Sequence, residues 1–160
     1  MLELYHYQKE MRIKMKEYFG SSPELQAAAF YLRYCIFVLE QKISPNLEFD
    51  LLDTFDRKYL VLFEEDMPIA TVRYQKLDTF TLNPDRLCVH IDYRGQGLGK
   101  LLLERIEKQA ISEGCLHSIL SAELTAMKFY EKYSYYAVSN LFEEDGVPCI
   151  RMQKDLIIAD

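Results

Sequence analysis

The sequence predicts a single α/β domain with a mixed sheet, spanning residues 1–160. Three observations predict it. Strand-like segments precede a strand, glycine turn, amphipathic helix and strand over residues 86–122, and a helix and hairpin follow. The balance of 49% hydrophobic and 28% charged residues in 160 suits one globular core. No repeat, low-complexity tract or linker divides the chain.

In order, residues 2–18 carry mixed signals. Leu2, Leu4 and Tyr7 alternate as on a strand, whereas Met11–Phe19 suits a helix. A helix starts where Ser22 can cap, Pro23 fits the first turn and Glu24 suits the positive helix end; it is expected to run to about Leu39. Residues 44–57 read as an acidic loop. Lys58–Glu65 and Ile69–Gln75 read as strands joined by a turn at Asp66-Met67-Pro68. Arg86–Ile91 is a third strand. Leu98, Leu102, Ile106 and Ala110 recur every four residues, with Glu104 and Lys108 paired on the wet side, and Gly114 stops this helix. Leu116–Ala122 reads as a strand and Leu124–Tyr133 as a helix. Tyr135–Phe142 and Val147–Gln153 form a hairpin turning at Glu144-Asp145-Gly146.

The formal net charge of -6 argues against nucleic acid as the main partner, because phosphate contacts need a basic face. Cys35, Cys88, Cys115 and Cys149 form no C-x-x-C pair or metal knuckle, so no metal is expected and free thiols in a cytoplasmic setting are. The N-terminal residues lack a signal-peptide pattern, and no run approaches the roughly 18 apolar residues of a membrane span. A homodimer is compatible with these totals.

The chemistry centres on Arg94-Gly95-Gln96-Gly97-Leu98-Gly99-Lys100. Its glycines let backbone N–H groups crowd inward, and the following helix adds unsatisfied N–H groups and the positive end of its dipole. Arg94 and Lys100 can add full charge. The turn is therefore a phosphate-site candidate; a plain strand-to-helix connection is the structural alternative. It is no Walker A loop, because Arg94 stands where glycine is needed and Leu101 where Ser or Thr is. Nor does it meet G-x-G-x-x-G from either Gly95 or Gly97.

The flanking residues decide between these. LCVHIDYRGQGLGKLLLERIEKQA (87–110), followed by FYEKYSY (129–135), resembles the GNAT superfamily of acyl-coenzyme A-dependent N-acyltransferases. Arg94, Gly97 and Gly99 meet its Arg-x-x-Gly-x-Gly pattern. LRYCIFVLEQ (32–41), TVRY (71–74), RLCV (86–89) and EEDGVPCIRM (143–152) resemble the ElaA-like subfamily. The resemblance implies a mostly antiparallel sheet with splayed central strands and flanking helices. It also implies acetyl-coenzyme A as cosubstrate, with its pyrophosphate on residues Arg94–Lys100.

The same resemblance assigns Leu87, Cys88 and Val89 to a bulged strand whose free backbone groups pair with the pantetheine arm. An N–H near Val89 would polarise the thioester carbonyl where negative charge develops. Tyr130 matches the tyrosine that protonates the departing thiolate; a core aromatic is its structural alternative. Lys132 matches a contact to the adenosine 3′-phosphate or is a solvated helix lysine. Three positions depart from the pattern: Glu123 stands where many relatives have Asn, Ser134 replaces a glycine, and Pro148-Cys149-Ile150 replaces an ElaA-like P-H-I.

An alkylamine, pKa about 10.4, is neutral in only roughly one molecule in 10³ at pH 7, so a base is expected. Glu40, within the subfamily-like VLEQ, is the first candidate and His90, with a suitable intrinsic pKa, the second; a water chain could replace either. The implied reaction is direct acetyl transfer to a small amine in a ternary complex. A protein N-terminus or lysine is the alternative acceptor, and an acetyl-coenzyme A-binding regulatory module without turnover the alternative class. Glu40, Glu48, Asp50, Asp53 and Asp56 form an acidic stretch expected to draw in a cationic acceptor, or else a merely solvated loop.

Overall fold

The computed structural model describes residues 1–156, apart from the side chains at positions 8 and 11–13. The chain forms two compact units and passes between them after residues 73, 85 and 102.

The first unit holds residues 1–73 and 86–102. Helix α1 (Leu2–Lys14) leads into strand β1 (Met15–Gly20). The mixed signals of residues 2–18 thus resolve as a helix followed by a strand. Every residue of β1 pairs antiparallel with β2 (Lys58–Glu64), from Met15 opposite Glu64 to Gly20 opposite Tyr59. That ladder outweighs a helical pattern only weakly marked in the sequence. β2 turns at Glu65-Asp66 into β3 (Met67–Tyr74), one residue earlier than expected, with Glu65 taking the positive φ of 52°. The sheet order is β1-β2-β3-β6, where β6 is Asp85–Val89.

Helix α2 (Pro23–Arg33) begins as expected, with the Leu25 N–H donating to the Ser22 hydroxyl at 3.4 Å. It does not stay α-helical to Leu39. Residues Tyr34–Glu40 form a wider π-helix that ends with the Gln41 N–H on the Ile36 carbonyl, five residues back. Ala29, Leu32 and Ile36 pack with Tyr59, Val61 and Cys88 as this unit's core. A single turn, α3 (Pro45–Glu48), starts the acidic segment.

The second unit holds residues 74–85 and, among the described residues, 103–156. Its sheet runs β4 (Lys76–Asp78), β5 (Thr81–Leu82), β7 (His117–Glu123), β10 (Val147–Asp155), β8 (Tyr136–Ala137), with β9 (Phe142–Glu144) also on β10. β5 runs parallel to β7, whereas β4 runs antiparallel to β5 and β10 antiparallel to β7, β8 and β9. The short strands β4 and β5 were not foreseen. The final hairpin turns where expected, at Asp145 (φ 52°) and Gly146 (φ 79°), the positive-φ pair of a two-residue hairpin loop. Helix α4 (Leu98–Ser112) buries the foreseen Leu98, Leu102, Ile106 and Ala110. Glu107 is also buried on it and accepts a hydrogen bond from Lys154. Helix α5 (Met127–Lys132) follows a 3₁₀ turn at Leu124–Ala126.

Candidate functional site

β6 enters its functional stretch through a bend. Arg86 has φ 54°, the left-handed region that non-glycine residues avoid, so the strand bends there. Within its sheet β6 is last in the order, which leaves its outer edge without a ladder partner there among the described residues. At its end the His90 N–H donates inward to the Ile69 carbonyl of β3 at 2.8 Å. Backbone groups alternate along a strand, so the Val89 N–H and carbonyl turn to the outer edge. Arg94 Nε accordingly donates to the Val89 carbonyl at 2.9 Å.

The chain then makes a 3₁₀ turn over Ile91–Tyr93. His90 caps it: its Nδ1 accepts from the Asp92 N–H at 3.2 Å. In the neutral ring that bond occupies the single lone pair and leaves the proton on Nε2. The Tyr93 hydroxyl donates to the Glu64 carboxylate, fixing the turn to β2.

Gly95 (φ 76°) and Gly97 (φ 80°) follow in left-handed conformations, and a Cβ at either would meet nothing within 4 Å. The space above the turn is therefore open. The Leu101 N–H closes the first helical bond on the Gly97 carbonyl at 3.1 Å. The N–H groups of Leu98 and Gly99 precede that bond, in the first turn where an α-helix cannot supply its own acceptors. Residues Gly95, Gln96, Gly97, Leu98, Gly99 and Lys100 thus supply what a diphosphate requires: open space, backbone donors and a helix N-terminus.

Arg94 and Glu40, singled out for different tasks, are brought together. Both Glu40 oxygens accept from one Arg94 nitrogen, at 2.8 and 3.0 Å. The pair is about two-fifths exposed, so it contributes at most about 1 kcal/mol and yields readily to a stronger anion. Arg94's charge is thus shared with Glu40 and not fully available to a ligand.

Cys88 lies buried between the half-buried Leu87 and Val89. Burial first, then the charge of Glu48, pushes its thiol far above the ordinary value, which keeps it protonated.

The acidic segment is the main correction. Glu48 accepts from Arg33 Nε at 2.9 Å. Asp53 accepts from Arg33 at 2.6 and 2.9 Å, from Arg73 at 3.0 Å and from the Tyr59 hydroxyl at 2.6 Å. Asp50 accepts from Arg73 at 2.8 Å and Arg86 at 3.2 Å. Burial would raise the Asp53 carboxyl, but hydrogen bonds from Arg33 and Tyr59 and the Arg33 charge hold it far below the carboxylate range. These three acids are committed to three arginines and do not form a free acidic entrance. The arginines went unremarked in the sequence. Arg33 and Arg73 are nevertheless fully buried charges set in apolar strings, YLRYCIF and IATVRYQ, and that pattern signals internal ion pairs.

In the second unit Tyr130 is half-buried on α5, its ring edge-on to Phe129 at 5.0 Å and to Tyr135 at 5.7 Å. Burial, then the carboxylates of Asp85 and Glu123, pushes the phenol well above its ordinary value. It therefore keeps its proton at neutral pH, as a proton donor must. Glu123 ends β7 opposite Cys149 of β10. Ser134, in the glycine position of the family pattern, takes φ 73° just past α5, the conformation that explains a glycine there. Lys132 is exposed in the last turn of α5. Among the described residues no group of three or more His, Cys, Asp or Glu is placed to hold a metal, and no helix is long and apolar enough to cross a membrane.

Comparison with known proteins agrees with this geometry. The family model for an acetyltransferase (GNAT) domain matches residues 47–156. The uncharacterized N-acetyltransferase YjcF of Bacillus subtilis is 30% identical over 142 residues, covering 88% of this chain and 100% of that protein. A crystal structure of a protein from Lactobacillus plantarum described as an N-acetyltransferase has TM-score 0.86 and 39% identity, covering 89% of this chain and 99% of its own. Escherichia coli ElaA shares the fold, with TM-score 0.77 at 24% identity over 88% of this chain and 99% of its own. An open strand edge leading into a left-handed glycine turn thus coincides with kinship across most of the sequence, and the chain belongs to the GNAT acetyltransferase family.

Proposed function

We propose that the protein transfers the acetyl group of acetyl-coenzyme A to a primary amine by direct attack in a ternary complex, in the cytoplasm. The observation that carries this reading is the open cradle above Gly95 and Gly97 at the end of β6. Residues Gly95–Lys100 hold the diphosphate with backbone N–H groups. The outer edge at Leu87–Val89 aligns the pantetheine arm, and the Val89 N–H faces the carbonyl where negative charge develops. Tyr130 returns a proton to the leaving thiolate, a role that rests on the family resemblance and on its firmly held proton. Glu40 is favoured over His90 as base. A carboxylate has lone pairs beyond the two it offers Arg94, whereas the one on His90 is taken by the Asp92 N–H. Direct attack is supported by the neutral, buried Cys88. The four free thiols suit a reducing compartment.

A panel of small amines, assayed for coenzyme A thiol release, tests the reaction. Release with at least one amine is expected. Binding of acetyl-coenzyme A without release, including from peptide amines, would mark a binding module instead. The cradle has its own test. Gly97→Val places a β-branched side chain at φ 80° and fills the open space, so loss of measurable acetyl-coenzyme A binding is expected in calorimetric titration, with the fold kept by circular dichroism. Wild-type affinity in that variant would remove the turn from the site.

A further inference from the structure

We propose that Arg86 is a positioning residue that orients the donor-binding edge of β6; this rests on the reading that Leu87–Val89 receive the pantetheine arm. Two features of Arg86 coincide. Its backbone takes φ 54°, and its guanidinium reaches the last turn of α3 and the residues just after it. Nε donates to the Glu48 carbonyl at 3.2 Å and lies 3.2 Å from Glu48 Oε1. The terminal nitrogen donates to the Leu47 carbonyl at 3.4 Å and to Asp50 Oδ2 at 3.2 Å.

That segment is itself rigidly held. Arg33 of α2 grips Glu48 and Asp53, Arg73 of β3 grips Asp50 and Asp53, and Tyr59 of β2 donates to Asp53. Arg86 therefore ties the bend of β6 to a frame anchored on a helix and two strands. Strain at a left-handed residue persists only where its surroundings over-determine it, and here the guanidinium supplies that constraint.

The consequence falls on the next three residues. Side chains alternate along a strand, and a residue in the left-handed region interrupts that alternation. With the bend at Arg86, Cys88 points into the core, and the Val89 N–H and carbonyl face the open edge. Flattening the bend turns the following residues about the strand axis and so redirects these groups. Arg86 thereby decides which backbone groups meet the donor's amides, without touching the donor itself.

The test separates the arm from the phosphates. Calorimetry compares coenzyme A with 3′-phosphoadenosine 5′-diphosphate, the same nucleotide without the pantetheine arm, on wild type and Arg86→Ala. The variant is expected to lose about tenfold in affinity for coenzyme A and to keep that for the bare nucleotide within about twofold, a difference of about 1.4 kcal/mol in the arm's contribution. Equal losses for both ligands would reveal general disruption, and unchanged affinity for both would show the bend to be idle; either result overturns the proposal. If Arg86→Ala does not fold, Arg86→Gly takes φ 54° without strain but lacks the guanidinium, and the same selective loss is expected. A wild-type protein that binds neither ligand would instead sink the donor-site reading on which the proposal rests.

Discussion

Asp53→Ala is expected to destabilise the protein by about 3–5 kcal/mol, the range for breaking a buried ion pair from one side. The Asp53 side chain is 7% exposed, and it faces Arg33 and Arg73, both with side chains 0% exposed. Removing it leaves two guanidinium groups short of a counter-charge and the Tyr59 hydroxyl short of an acceptor. Urea unfolding followed by circular dichroism measures the loss; a change under about 1 kcal/mol would mean that water replaces the carboxylate at little cost. The pH dependence has a definite sign. The Asp50 carboxyl is pulled up by burial but further down by its hydrogen bond with Arg73 and that residue's charge, and Asp53 is held far down by Arg33 and Tyr59. Carboxyls depressed in the folded state add their stability fully above the ordinary value of about 3.9 and lose it as pH falls toward the folded values. The cluster is therefore expected to hold through mild acid and to weaken only below about pH 4. The same contacts displace electrostatic steering as the task of Asp50 and Asp53, because neutralising them unbalances a buried cluster before it alters any approach of substrate.

Tyr130→Phe is expected to lower turnover about 10²-fold with acetyl-coenzyme A binding nearly unchanged. General acid catalysis contributes about 10²–10⁴-fold, and a thiolate leaves easily because thiol pKa values sit near 8.5, so the low end applies. Phenylalanine keeps the edge-on packing with Phe129 and Tyr135 and removes only the hydroxyl. Rapid-mixing measurement of thiol release, paired with calorimetric titration, reads both quantities. Wild-type turnover would return Tyr130 to the aromatic cluster as a packing residue. A fall in coenzyme affinity equal to the fall in turnover would assign the hydroxyl to binding.

The sequence by itself determined the parts whose physics is local. The capped start of α2, the four-residue spacing along α4, the glycine turn at 95–97 and the Asp145-Gly146 hairpin each follow from neighbouring residues, and each stands where their chemistry put it. The glycine turn together with Arg94 and the tyrosine of FYEKYSY also carried the family resemblance, because phosphate contact constrains backbone conformation and so leaves a readable pattern. Tertiary structure decided what depends on partners distant in sequence. β1 is a strand because β2 pairs with it along its whole length, an energy absent from residues 15–20 alone. The acids at 48, 50 and 53 are structural because Arg33, Arg73 and Arg86, between 15 and 38 positions away in the contacts they make, converge on them. Glu40 and Arg94 lie 54 residues apart and meet only through the fold. A charge read from sequence has a sign but no partner, and whether it faces water, a ligand or another buried charge is settled only when the long-range contacts form.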